Sequence, residues 1–132
     1  MFDAFVIDDY TPAARAMAVL LEQICPSNWS VGFTTSGPDA AAEGLSVLIG
    51  QPRLRLVVID YLLPRFDGQD IIEMALRARP SLRGRIIVSS GWGFPEDIQQ
   101  RLFEELGCLR LDKPTDSELL KEHVEKIVAI PV

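Results

Sequence analysis

Short apolar runs punctuate the chain, and most of them stop at a polar or charged residue. Ala4-Phe5-Val6-Ile7 stops at Asp8-Asp9; Leu54 and Leu56-Val57-Val58-Ile59 stop at Asp60. Ile86-Ile87-Val88 stops at Ser89-Ser90-Gly91, and Cys108 to Leu111 stops at Asp112-Lys113-Pro114. A weaker run covers about Trp29 to Thr34. The third run is apolar throughout its centre, as a strand buried on both faces of a parallel sheet must be.

Helical patterns fill the intervals. Thr11 is placed to cap a helix that reads to about Ile24, with Pro12 suited to its first turn and Pro26-Ser27-Asn28 breaking it. Gly37-Pro38-Asp39 open a second helix through about Ile49, with Ala41, Leu45 and Leu48 at helical spacing. A third reads from about Gln69 to Arg77, and a fourth from about Pro95 to Glu105, stopped by Gly107. Thr115 is placed to cap the last, which runs to about Val128. Strict alternation of strands and helices predicts an α/β fold, a doubly wound parallel sheet with right-handed crossovers. The flavodoxin-like (βα)5 arrangement with strand order 2-1-3-4-5 is the common solution at this size.

At 132 residues the chain fits one domain, residues 1–132, large enough to bury a core without staples. Its net charge of −6 argues against direct binding of nucleic acid or of an anionic membrane. Charge appears too early for a secretory leader, and no apolar run is long enough to span a membrane. Cys25 and Cys108 form no metal-ligand or redox motif and read as buried thiols in a reducing compartment. A cytoplasmic location is expected.

Open α/β sheets bind ligands at the carboxyl ends of their strands, near the point where strand order reverses. The expected order brings Asp8, Asp9, Asp60, Ser90 and Lys113 into one crevice. Clustered carboxylates repel unless a cation neutralises them, and Mg²⁺ suits such oxygen ligands. A carboxylate can also take a phosphoryl group as a nucleophile, given positive charge on the phosphoryl oxygens.

The ordered set Ile7-Asp8-Asp9, Val58-Ile59-Asp60, Val88-Ser89-Ser90-Gly91 and Leu111-Asp112-Lys113-Pro114 resembles the CheY-like receiver domains of two-component response regulators. Asp60 to Gly68, with Pro64 and Gly68 at the family's offsets, resembles the loop after its acceptor, and the likeness covers nearly the whole chain. The resemblance implies that Asp60 accepts the phosphoryl group and that Asp9, Asp60 and the Leu62 backbone carbonyl ligate Mg²⁺, with Asp8 assisting through water. It implies that Lys113 pairs with Asp60 and then with the phosphoryl group, and that Ser90 senses the phosphate. Ser90 is preferred to Ser89 because Gly91 stands where the family has a small residue after its hydroxyl. The implied donor is a sensor histidine kinase or a histidine phosphotransfer protein. The implied output is contact with a downstream protein, with a phosphorylation-dependent homodimer among the forms it can take.

Two positions depart from the pattern. Arg110 stands three residues before the lysine, where the family usually has Tyr or Phe as a rotating switch. Leu62 and Trp92 stand two after Asp60 and two after Ser90, where many relatives carry polar groups that orient the attacking water. A constitutive interaction module, a pseudo-receiver, is the alternative that Arg110 supports. A small-molecule phosphatase needs a second acid at the position of Leu62, so the chain is not expected to be an enzyme. His123, among Lys121, Glu122, Glu125 and Lys126, reads as part of a solvated helix face, as do Glu104-Glu105. Trp29 is expected to pack at the edge of the second strand, and Arg77, Arg79, Arg83 and Arg85 read as a solvated loop around Pro80.

Overall fold

The computed structural model describes residues 1–131. The elements are β1 (Ala4–Ile7), α1 (Thr11–Ile24), β2 (Val31–Phe33), α2 (Ala40–Gly50), β3 (Leu56–Asp60) and α3 (Gly68–Ala78). They continue with β4 (Ile86–Ser90), α4 (Glu96–Gln99), β5 (Leu109–Asp112) and α5 (Ser117–Val128). All strand pairs are parallel and the order is β2-β1-β3-β4-β5, as the alternation predicts.

Side chains alternate across each strand, and that alternation sorts the core into two layers. Phe5, Ile7, Val57, Ile59 and Val88 point into the layer completed by α2, α3 and the segment after α4, through Leu48, Ile71, Ile72 and Leu102. Ala4, Val6, Leu56, Val58, Ile87 and Leu111 point into the layer completed by α1 and α5, through Met17, Leu21, Leu120 and Val124. Double burial explains the unbroken apolar runs.

Several local expectations are corrected. Tyr10, not Thr11, is the N-cap of α1, and it makes no side-chain cap bond; the Asp8 carboxylate instead accepts the Tyr10 N–H at 2.9 Å. Asp116, not Thr115, caps α5, accepting the N–H groups of Glu118 and Leu119. Gly37–Asp39 form a 3₁₀ turn before α2 rather than its first residues. The fourth helix is α-helical only over Glu96–Gln99 and continues as a π-helix over Gln100–Glu105, a register that residue periodicity does not reveal. β2 is shorter than the run that predicts it, and Trp29 lies outside it, half-buried with the Arg55 guanidinium 4.4 Å from its ring centroid.

His123 is the clearest reversal: it is 7% exposed, and its Nε2 lies 2.7 Å from the Arg110 carbonyl. Charged neighbours on the helix hid a position that faces β5. The arginines after α3 are also not merely solvated. Arg79 donates to the carbonyls of Leu48 and Gln51, Arg83 to that of Glu105, and Arg85 is buried. Cys25 and Cys108 are free and buried, and burial pushes their thiols up to about 11 and about 12. No helix among the described residues is long and apolar enough to cross a membrane.

Gly44 shows how tightly α2 lies on β1. A Cβ there would fall 2.6–2.8 Å from three atoms of Ile7, which is fully buried. Alanine would gain about 1 kcal/mol in helix propensity, but overpacking costs about 1–3 kcal/mol. Gly44→Ala is therefore expected to lower stability on balance, read as a lower urea midpoint at unchanged m-value.

Candidate functional site

The carboxyl ends of β1 and β3 lie side by side, with Ile7 opposite Ile59. Asp8, Asp9 and Asp60 follow or end these strands, and each presents a carboxylate oxygen within 4.8 Å of the other two. Lys113, just beyond β5, reaches over β4: its Nζ lies 3.4 Å from Asp8 Oδ2 and 3.5 Å from Asp60 Oδ2. Four of the residues singled out in the sequence thus meet in space. The donor set is three hard carboxylates on the edge of a cleft, the chemistry that suits Mg²⁺. Leu62, two residues past Asp60, donates its N–H to Asp60 Oδ1 at 3.4 Å.

The backbone around the carboxylates is fixed by contacts the sequence did not advertise. Thr34, fully buried after β2, clamps Asp8: its hydroxyl donates to the Asp8 carbonyl at 2.7 Å and accepts the Asp8 N–H at 3.1 Å. A polar residue ending the weak run was the available signal for Thr34. Gly68 donates its N–H to the Tyr61 carbonyl at 2.6 Å, closing the loop after the acceptor strand, and Asp67 caps α3 by accepting the Asp70 N–H. A Cβ on Gly68 would lie 2.9 Å from the Tyr61 Cα.

The two serines divide. Asp60 is in register with Ser89, and Ser89 lines a cleft of about 250 Å³ together with Asp8, Asp60 and Lys113. Ser89 is buried and its hydroxyl has no hydrogen-bond partner. Ser90 points to the other side of β4. Its hydroxyl donates to the Gly93 carbonyl at 3.1 Å and accepts the Trp92 N–H at 3.2 Å, holding the loop in which Trp92 stands 87% exposed. Arg110 is tied down on that side. Its guanidinium lies 5.1 Å from the Phe94 ring centroid and bonds Gln99 and Asp112. Phe94 in turn packs on Tyr61, the residue after Asp60, with ring centroids 5.4 Å apart.

Burial pushes the Asp60 carboxyl up to about 6 and Asp8 adds to the rise; Lys113 and the Leu62 N–H act the other way. A folded-state value above the ordinary 3.8 means that the native protein binds more protons than the unfolded chain between pH 4 and 6. Stability from this group is therefore full below about pH 4, falls as pH rises to about 6, and is level above. In metal-free protein Asp60→Asn is expected to raise stability at pH 7 by up to about 3 kcal/mol, and the gain should vanish toward pH 4. Urea unfolding across that range checks it.

No family model and no curated protein matches the chain. Solved structures do. A response regulator receiver protein from Pseudomonas putida is 28% identical over 93% of this chain and 94% of its own, with a TM-score of 0.72. A CheY-like receiver domain protein from Methanospirillum hungatei is 24% identical over 95% and 92%, with a TM-score of 0.73. A receiver domain protein from Clostridium thermocellum is 21% identical over 97% and 94%, with a TM-score of 0.78. Strand order and these likenesses together give the chain the fold of the CheY-like receiver domains of two-component response regulators.

Proposed function

We propose that the chain, as one receiver domain over residues 1–132, is a cytoplasmic phosphorylation switch. Asp60 accepts a phosphoryl group from a histidine of a sensor kinase or phosphotransfer protein. The observation that carries this reading is the group of three carboxylates within 4.8 Å of one another, with Lys113 3.5 Å from Asp60, at the carboxyl edge of the sheet.

One Asp60 carboxylate oxygen attacks phosphorus, the P–N bond to the donor imidazole breaks as the new P–O bond forms, and the bond's electron pair stays on that nitrogen, so the ring leaves as neutral imidazole with the proton its other nitrogen already carried. Lys113, already between Asp8 and Asp60, is placed to meet the phosphoryl oxygens as their charge shifts. Asp9, Asp60 and the Leu62 carbonyl are the residues that would hold Mg²⁺, with Asp8 acting through water. The bound ion would supply positive charge to the transferring group. Ser90, the hydroxyl expected to sense the phosphate, points to the other side of β4; the buried, unpaired Ser89 hydroxyl, which lines the cleft beside Asp60, is the one in reach of that role. The output is a changed protein–protein surface, with a phosphorylation-dependent homodimer among the forms it can take. The domain promotes its own modification and is not an enzyme acting on a separate substrate.

Intact mass after incubation with acetyl phosphate and Mg²⁺ tests this. One phosphoryl adduct is expected in wild type, none in Asp60→Asn and none without Mg²⁺. No adduct in wild type would favour the second reading, a constitutive interaction module, which the anchored Arg110 at the usual aromatic position supports. Leu62 offers no polar group and the Trp92 indole only a donor, so neither side chain can accept a proton from an attacking water, and the phosphorylated form is expected to persist for minutes or longer. Decay followed by mass within seconds would contradict that.

A further inference from the structure

The amino-terminal edge of the sheet, opposite the carboxylate cluster, carries a second cleft of about 580 Å³. Arg53, Arg55, Arg79, Arg83 and Arg85 line it, and Asp3 is the one carboxylate among the described residues that does so. The topology explains the gathering. Arg53 and Arg55 enter β3, Arg85 enters β4, and Arg79 and Arg83 lie on the connection between α3 and β4. Five guanidiniums against one carboxylate leave an excess of four positive charges, in a chain whose net charge is −6.

Folding alone does not account for this charge. Asp3 is fully buried and takes Arg55 at 3.0 Å and Arg53 at 3.5 Å. Arg79 uses one nitrogen, Nη1, for the carbonyls of both Leu48 and Gln51. Arg83 reaches the Glu105 carbonyl through Nη2, and Arg85 reaches those of Arg55 and Pro131. Carbonyls orient a guanidinium without neutralising it, and each guanidinium has five N–H donors. The crowding has a cost: burial and the Arg55 charge both hold the Arg85 guanidinium below its ordinary value. A multiply charged anion would relieve that repulsion and engage the remaining donors.

We propose that this cleft binds a small organic polyphosphate, a molecule with a di- or triphosphate group and an organic part such as a nucleoside. Guanidinium forks match phosphate oxygens two at a time. An excess of four charges exceeds what one phosphate group, at about −2, would balance. The volume falls in the range of small-molecule sites, about 300–1,000 Å³, and exceeds the needs of the phosphates alone. Pro52 and Ile130 give the organic part an apolar surface.

The test is calorimetric titration of the full chain with adenosine triphosphate, inorganic pyrophosphate and orthophosphate, in EDTA so that Mg²⁺ plays no part. Saturable one-site binding is expected, tighter for the triphosphate and pyrophosphate than for orthophosphate. Loss of one charge-assisted contact should weaken it roughly tenfold or more in Arg83→Glu and in Arg53→Gln. The Arg53 side chain is 58% exposed, so that variant keeps the test sound should the other fail to fold. Binding should be unchanged in Asp60→Asn, which separates this cleft from the carboxylate site. Absence of saturable binding at millimolar ligand, equal binding in the arginine variants, or loss of binding in Asp60→Asn would each overturn the proposal.

Discussion

The repulsion among Asp8, Asp9 and Asp60 is the constraint on which the rest of the structure turns. Two parallel strand ends force three carboxylate oxygens to within 4.8 Å, and Lys113, the one ammonium in contact among the described residues, cannot balance them all. An arrangement so unfavourable persists only where its surroundings hold it. Here β1 and β3 are buried on both faces, so their ends cannot splay. Thr34 fixes the backbone at Asp8, and Gly68 closes the loop after Asp60 against the Tyr61 backbone. The same rigidity keeps Asp60 poorly solvated, which is why its carboxyl is raised despite a lysine beside it.

Charge is divided between the two edges of the sheet. The carboxyl edge gathers acids around one lysine, and the amino edge gathers arginines around Asp3. Sheet dipoles are too small to produce this division; it comes from which side chains the chain places before and after each strand. The acidic edge is where the receiver reading puts phosphoryl chemistry. The basic edge is remote from it, so a ligand there would act through the sheet and not on Asp60 directly. Between the edges, the packing of Tyr61 on Phe94 and of Phe94 under Arg110 connects the residue after the acceptor to β5.

Much of this was legible in the residues. Apolar runs buried on both faces fixed β3 and β4 as central strands, and the residue ending each run supplied Asp60 and the paired serines. Lys113 was legible only by position, since Lys-Pro is an ordinary dipeptide until it follows the last strand. What escaped depended on packing between distant segments. His123 sits among charged residues in sequence but turns inward to the Arg110 carbonyl. Arg79, Arg83 and Arg85 look like loop residues until their carbonyl partners are in place. The caps lie one residue away from the expected hydroxyls of Thr11 and Thr115: Tyr10 begins α1 with no side-chain cap bond, and the Asp116 carboxylate, one residue after Thr115, caps α5, because backbone angles choose between neighbouring candidates. Register alone sets Ser89 beside Asp60 and turns Ser90 the other way.

The most direct measurement of the central claim is unfolding of wild type and Asp9→Asn at pH 7 as a function of Mg²⁺ concentration. If the carboxylates are a strained cation site, Mg²⁺ should stabilise the wild type progressively, by about 2.7 kcal/mol at one hundred times its Kd. The gain should be lost in Asp9→Asn, which removes one charge from the cluster. A wild-type stability indifferent to Mg²⁺, or a gain equal in both proteins, would contradict the account.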